Sequence, residues 1–102
     1  MLVSLRYSPK HQLQRHMPTI AYIGSIQVRL YYDDHGVPHF HAVSPDFDFK
    51  IAISDLSIIS GTGHLRGRDL VAIHAWGQKH RDVLYSNWQL AREGKPLIDI
   101  ED

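Results

Sequence analysis

No cysteine occurs anywhere in the 102 residues, and that absence excludes disulfides, thiolate zinc sites and a cysteine nucleophile together. Any metal held by this chain must be held by histidine and carboxylate. Long apolar runs are missing too. None nears the roughly 18 consecutive apolar residues of a membrane-spanning helix, and Met1 to His16 lacks the apolar stretch and small-residue cleavage site of a signal peptide. A cytoplasmic protein that meets no membrane is expected. An excess of positive charge is also lacking: Lys and Arg together number 11, as do Asp and Glu. Because Arg6, Lys10 and Arg15 fall in an acid-free opening segment, residues 17–102 keep 8 basic side chains against 11 acidic ones, a balance of −3. That sign suits a nucleic-acid backbone poorly, so RNA is disfavoured as a partner.

What the chain does hold is histidine, concentrated in Tyr31-Tyr32-Asp33-Asp34-His35-Gly36-Val37-Pro38-His39-Phe40-His41. Successive strand residues point to opposite faces, so His39 and His41 share one face while Phe40 turns to the other. Asp34 to Pro38 forms the connection before them, stiffened by Pro38 and turned by Gly36, which keeps His35 at the mouth of a hairpin.

This constellation admits several chemistries. His39 and His41, joined by Asp34 or His35 from the turn, make the two-histidine, one-carboxylate or three-histidine set favoured by zinc, iron or nickel, and an open coordination position would activate water. Without metal, His35, His39 and His41 could exchange protons as in a small ribonuclease, with Arg29, Arg66 or Arg68 holding phosphate; the negative balance of residues 17–102 weighs against it. With no chemistry at all, Tyr31, Asp34, Pro38 and Phe40 would form a rigid recognition surface for a protein partner. The plainest reading is a tight hairpin in which Asp34 accepts turn amides and the histidines are polar struts.

Around this stretch the pattern is that of one α+β domain over residues 17–102. Residues 1–16 form an N-terminal extension, either poorly ordered, an upstream-start artefact, or an added edge strand through Leu2, Val3 and Leu5. Ile20, Tyr22, Ile26, Val28, Leu30 and Tyr32 alternate as strand, with a turn or bulge at Gly24. His39 to Val43 follows, then a turn at Ser44-Pro45-Asp46, then Phe47 to Ile53 with Phe47, Phe49, Ile51 and Ile53 on one face. Leu56 to Ile59 is a fourth candidate strand before a break at Ser60-Gly61-Thr62-Gly63. The expected architecture is a small antiparallel meander of three to five strands packed against one long C-terminal helix. A helix over residues 68–93 places Leu70, Ile73, Trp76, Gly77, His80, Val83, Leu84, Asn87, Trp88 and Ala91 on one side. Gly77 marks a bend or a close contact within it, and Gly94 and Pro96 end it. Leu97 to Ile100 is read as a short closing strand.

His80 and Asn87 lie inside the apolar stripe, so they point at the sheet and either join the strand-borne histidines or satisfy backbone groups. His64 and His74 are expected to face solvent. Gly61-Thr62-Gly63 with Arg66-Gly67-Arg68 lacks the Gly-Lys-Ser/Thr ending of a phosphate loop and reads as a flexible loop. Asp46 and Asp48 read as turn and solvent face.

At Met17-Pro18-Thr19-Ile20, Tyr31-Tyr32-x-Asp34-His35-x-x-Pro38-His39-Phe40-His41, Trp76-x-x-x-His80 and Asn87-Trp88 the chain resembles a small bacterial family, the domain of unknown function 4160. The tail Ala91-Arg92-x-Gly94-x-Pro96-Leu97 is similar too. Val37-Pro38 stands where the family commonly has two prolines. The resemblance implies a chain that begins at Met17 and no established activity. It also implies a component of a toxin-antitoxin-like two-gene module that binds a protein partner encoded nearby, with homo-oligomers open as a further arrangement. In that reading Tyr31, Asp34, Pro38, Phe40 and Asn87 supply the binding surface. In the enzyme alternative, a metal-assisted hydrolase or a nuclease, His35, His39, His41 and His80 carry the chemistry.

Overall fold

A computed structural model describes residues 17–101; the expected edge strand at Leu2 to Leu5 lies outside them. Five strands follow in chain order, β1 (Thr19–Ile23), β2 (Ile26–Arg29), β3 (His39–Ser44), β4 (Phe47–Ala52) and β5 (Ile58–Gly63), and they pair antiparallel in that same order. Among the described residues two helices complete the fold, α1 (Gly67–Lys79) and α2 (Arg81–Arg92). It is the expected α+β meander, and the sheet is open. Among the described residues no helix is long and apolar enough to cross a membrane.

The register sorts the two faces of the sheet. Val28 pairs with Ala42, Ala42 with Phe49, and Phe40 with Ile51, so these side chains share the face that meets the helices. Ile20, Val28, Leu30, Phe40, Ala42, Ile51, Ile53, Ile73 and Leu84 are all buried there, and the Trp76 ring of α1 stands edge-on 6.0 Å from Phe40. On the other face Arg29 pairs with His41 and His41 with Lys50, and Lys50 in turn with Ser60. Tyr22 departs from the expected alternation. A shift of register between Thr19 and Ala21 inserts an extra residue, so Ala21 is buried beside Ile20 while Tyr22 turns outward.

Two corrections concern the second half. Ser60 to Gly63, read as a break, is strand: it runs along β4 through Lys50–Ser60, Phe49–Gly61, Asp48–Thr62 and Phe47–Gly63. Its glycines permit the approach. A Cβ at Gly61 would sit 2.5 Å from the Asp48 carbonyl oxygen and one at Gly63 2.6 Å from the Phe47 Cα, with φ at +154° and +99°, so small size rather than flexibility is what the sequence encodes here.

The helical stripe is real but divided. His80 adopts φ −110° and ψ 18° between α1 and α2, while its N–H still donates to Trp76 and its carbonyl still accepts from Leu84. Just past the bend, Nε of Arg81 donates to the carbonyl of Ile53, the residue after β4 (3.0 Å). The bend lets Leu84, Asn87, Trp88 and Ala91 stay buried after Ile73, Trp76 and Gly77. Gly77 marks a close contact, because a Cβ there would lie 2.6 Å from Leu56 Cδ2.

Leu97 to Ile100 is not a strand. Ile100 donates one hydrogen bond to Ile20 of β1 (2.8 Å), but Ile98 gives both its backbone groups to Asn87, whose Nδ2 donates to the Ile98 carbonyl (2.9 Å) and whose Oδ1 accepts from the Ile98 N–H (2.7 Å). A side chain has taken the place of a neighbouring strand. The Tyr32 hydroxyl ties the same tail by donating to the Lys95 carbonyl (2.7 Å).

Candidate metal centre

β3 begins with His39, and its alternation sets His39 and His41 on the face away from Phe40, with ring centroids 5.1 Å apart. Tyr31 to Pro38 then folds back over them. Its last residue is pinned by Ile53 N–H donating to the Pro38 carbonyl (3.0 Å), and its first turn closes with Asp34 N–H donating to the Tyr31 carbonyl (3.3 Å). This brings Asp34 Oδ2 to 2.9 Å from His39 Nε2 and 3.1 Å from His41 Nε2. One donor atom from each of Asp34, His39 and His41 lies within 4.8 Å of the others.

The remaining ring nitrogens also face oxygens. His39 Nδ1 lies 2.8 Å from the Val37 carbonyl oxygen, an acceptor only, so that nitrogen carries a proton. His41 Nδ1 faces Asp48 Oδ1 at 3.6 Å. Both side chains are nearly sealed, 3% and 8% exposed. Four nitrogens of two imidazoles thus face oxygen acceptors, and two neutral rings supply only one N–H each. Bare nitrogens facing buried acceptors repel, and positive charge where the two Nε2 atoms and Asp34 Oδ2 meet, whether from ring protons or from a cation, removes that repulsion. A divalent cation held by Asp34, His39 and His41 would supply it. His39 and His41 would then be ligating histidines, the far nitrogen of one held by a backbone carbonyl and that of the other facing a carboxylate.

Aromatic rings enclose the cluster. Tyr31 stacks on His41 at 4.3 Å and 19°, and Trp88 of α2 lies 5.1 Å from His39. Burial raises the Tyr31 phenol above its ordinary value; Asp48 pushes the same way, Arg29 opposes, and Asp34 adds to the rise. Tyr31 is therefore a neutral hydroxyl at physiological pH.

Several expected participants stand elsewhere. His35 is exposed and its ring is not among the converging donors. His80 lies half-buried against Trp76, at 4.8 Å, rather than beside His39 and His41. Asn87 is buried and serves Ile98. Phe40 is 0% exposed, so it is a core residue and no part of a binding surface; its alternation with His39 and His41 already placed it inward. Arg66 and Arg68 line a cleft with Ser44, Pro45 and Asp46, at the far end of β3 and roughly 16 Å along the strand from His39, so of the three arginines only Arg29 adjoins the cluster. Asp34 binds the histidines rather than turn amides. Asp48, read as a solvent-facing residue, is half exposed yet directed at His41; pairing β4 against β3 puts Asp48 opposite Val43, one step diagonal from His41, a relation visible only once the register is known.

No curated protein and no solved structure matches the chain. Residues 25–89, which include β2 to β5, the whole cluster and most of both helices, match the family described as Domain of unknown function (DUF4160). The chain belongs to that family.

Proposed function

We propose that this domain binds a divalent transition metal through Asp34, His39 and His41. The observation that carries the reading is the convergence of two buried Nε2 atoms on one carboxylate oxygen, with acceptors at both far nitrogens. Imidazole and carboxylate donors suit zinc, iron or nickel. Three protein donors leave a coordination position, and the Asp34 side chain, 18% exposed, marks the side from which water reaches it. A metal held this way lowers the pKa of bound water and supports hydrolysis, the chemistry this reading assigns to the domain.

Partner binding, the role the family resemblance implies, has less support. With Phe40 in the core, Tyr31 and Pro38 are what remains of the apolar anchors expected from the sequence, and both are half-buried.

Calorimetric titration of tag-free protein with zinc tests the proposal. One ion per chain, lost in His39→Ala/His41→Ala, is expected. Absence of uptake of zinc, nickel and iron alike would sink it.

A further inference from the structure

Lys50 of β4 is half-buried on the face that bears the cluster, directly across from His41. Among the described residues its ammonium makes no side-chain hydrogen bond or ion pair. The stem lies along the sheet face and the ammonium at its end is a charge that no described side chain neutralises. Asp48 stands two residues away on the same face, but its carboxylate is directed to His41. On the other side of His41 its neighbour on β2 is Arg29. The guanidinium there is fixed in place: Gln27 Oε1 accepts from Arg29 Nε (2.8 Å) and from Nη2 (2.5 Å). Adjacent strands lie about 4.8 Å apart, so the two cations arise from backbones about 10 Å apart with His41 midway between them.

Resting on the metal-binding reading, we infer that the ligand of this site is a small phosphate monoester, bound by the metal and by Lys50 and Arg29. Charge decides the class. The ion brings two positive charges, Arg29 and Lys50 one each, and Asp34 and Asp48 one negative charge each, which leaves a net +2. A phosphate monoester is close to a dianion at neutral pH, whereas a diester offers a single charge. A long polyanion would also meet the −3 balance of residues 17–102, and a small ester meets only the site. Lys50 serves as a point charge on a flexible stem and Arg29 as a planar donor held in orientation. Lys50, whose side chain has no partner among the described residues, is thereby given an anion.

Inorganic phosphate is the probe. Titrated into zinc-loaded protein, it is expected to bind, and Lys50→Gln is expected to weaken it at least tenfold while zinc affinity stays unchanged and Lys50→Arg recovers most of the loss. Sulfate, also a dianion but a weaker ligand of zinc, is expected to bind less tightly. Zinc uptake without phosphate binding, or phosphate binding equal in wild type and Lys50→Gln, would overturn this inference and leave the metal site standing. Failure of zinc to bind would overturn both.

Discussion

The carbonyl oxygen of Val37 lies 2.8 Å from Nδ1 of His39, two residues further along the chain, and this contact decides which nitrogen of the ring is turned to Asp34. The far nitrogen of His41 faces a side chain instead, Asp48 Oδ1, at 3.6 Å. The two histidines therefore respond differently to substitution around them. Removing the Asp48 charge with Asp48→Asn is expected to weaken zinc binding by about tenfold, within the range for an outer carboxylate behind a ligating imidazole, with little change in stability because Asp48 is half exposed. Zinc titration against a competing chelator reads the first quantity and urea unfolding of the metal-free protein the second. Unchanged affinity would mean that Asp48 is a bystander.

Gly77 and Leu56 are matched in the core. Gly77→Ala gains about 1 kcal/mol in helix propensity, yet the added methyl would press on Leu56 Cδ2 at 2.6 Å and Cδ1 at 3.0 Å, and overpacking of a buried site costs about 1–3 kcal/mol. The steric term wins because Leu56 is buried and held at φ +61°, so a net loss of about 1 kcal/mol is expected from chemical denaturation. In a Leu56→Ala background the sign should reverse. A stabilised Gly77→Ala single variant would show that Leu56 moves aside freely.

Asn87 replaces a strand for Ile98, so its substitution should loosen the C-terminal tail before it affects the sheet. Asn87→Asp keeps the acceptor for the Ile98 N–H but loses the donor to the Ile98 carbonyl and places a charge in a fully buried position. A loss of about 3 kcal/mol is expected. Asn87→Ala should cost about 2 kcal/mol, with faster hydrogen exchange at Ile98 and Ile100. Unaltered exchange at both amides would refute the clamp.

The sequence-level reading succeeded where a single element carried its own period. Ile26, Val28 and Leu30 alternate because one face of β2 is buried, and Ile73, Trp76, Leu84, Trp88 and Ala91 recur at helical spacing because one side of each helix meets the sheet. The pairing of His39 with His41 follows from the same period of two. What could not be read locally depends on another element. Ser60 to Gly63 has the composition of a loop, and it is strand because the approach of Phe49 and Phe47 demands glycine. The bend at His80 carries no proline or glycine of its own and coincides with a tether from Arg81 to Ile53. Asp48 and Lys50 came beside His41 only through the β3–β4 register, and the His80 ring lies on Trp76, one helical turn before it. Phe40 illustrates the opposite case: alternation alone assigned it to the core, and its place in a binding surface had ignored that.

Thermal unfolding with and without zinc tests the central claim most directly, because an ion that binds only the folded chain stabilises it in proportion to its affinity. At a zinc concentration a hundred times the dissociation constant the gain is about 2.7 kcal/mol, and a domain of this size moves by about 4–8 °C per kcal/mol. The wild-type midpoint is therefore expected to rise by more than 10 °C, while Asp34→Asn and His39→Ala/His41→Ala, both still cooperatively folded, should show no comparable rise. A wild-type midpoint indifferent to zinc, nickel and iron, or an equal rise in the double variant, would contradict a metal centre at Asp34, His39 and His41.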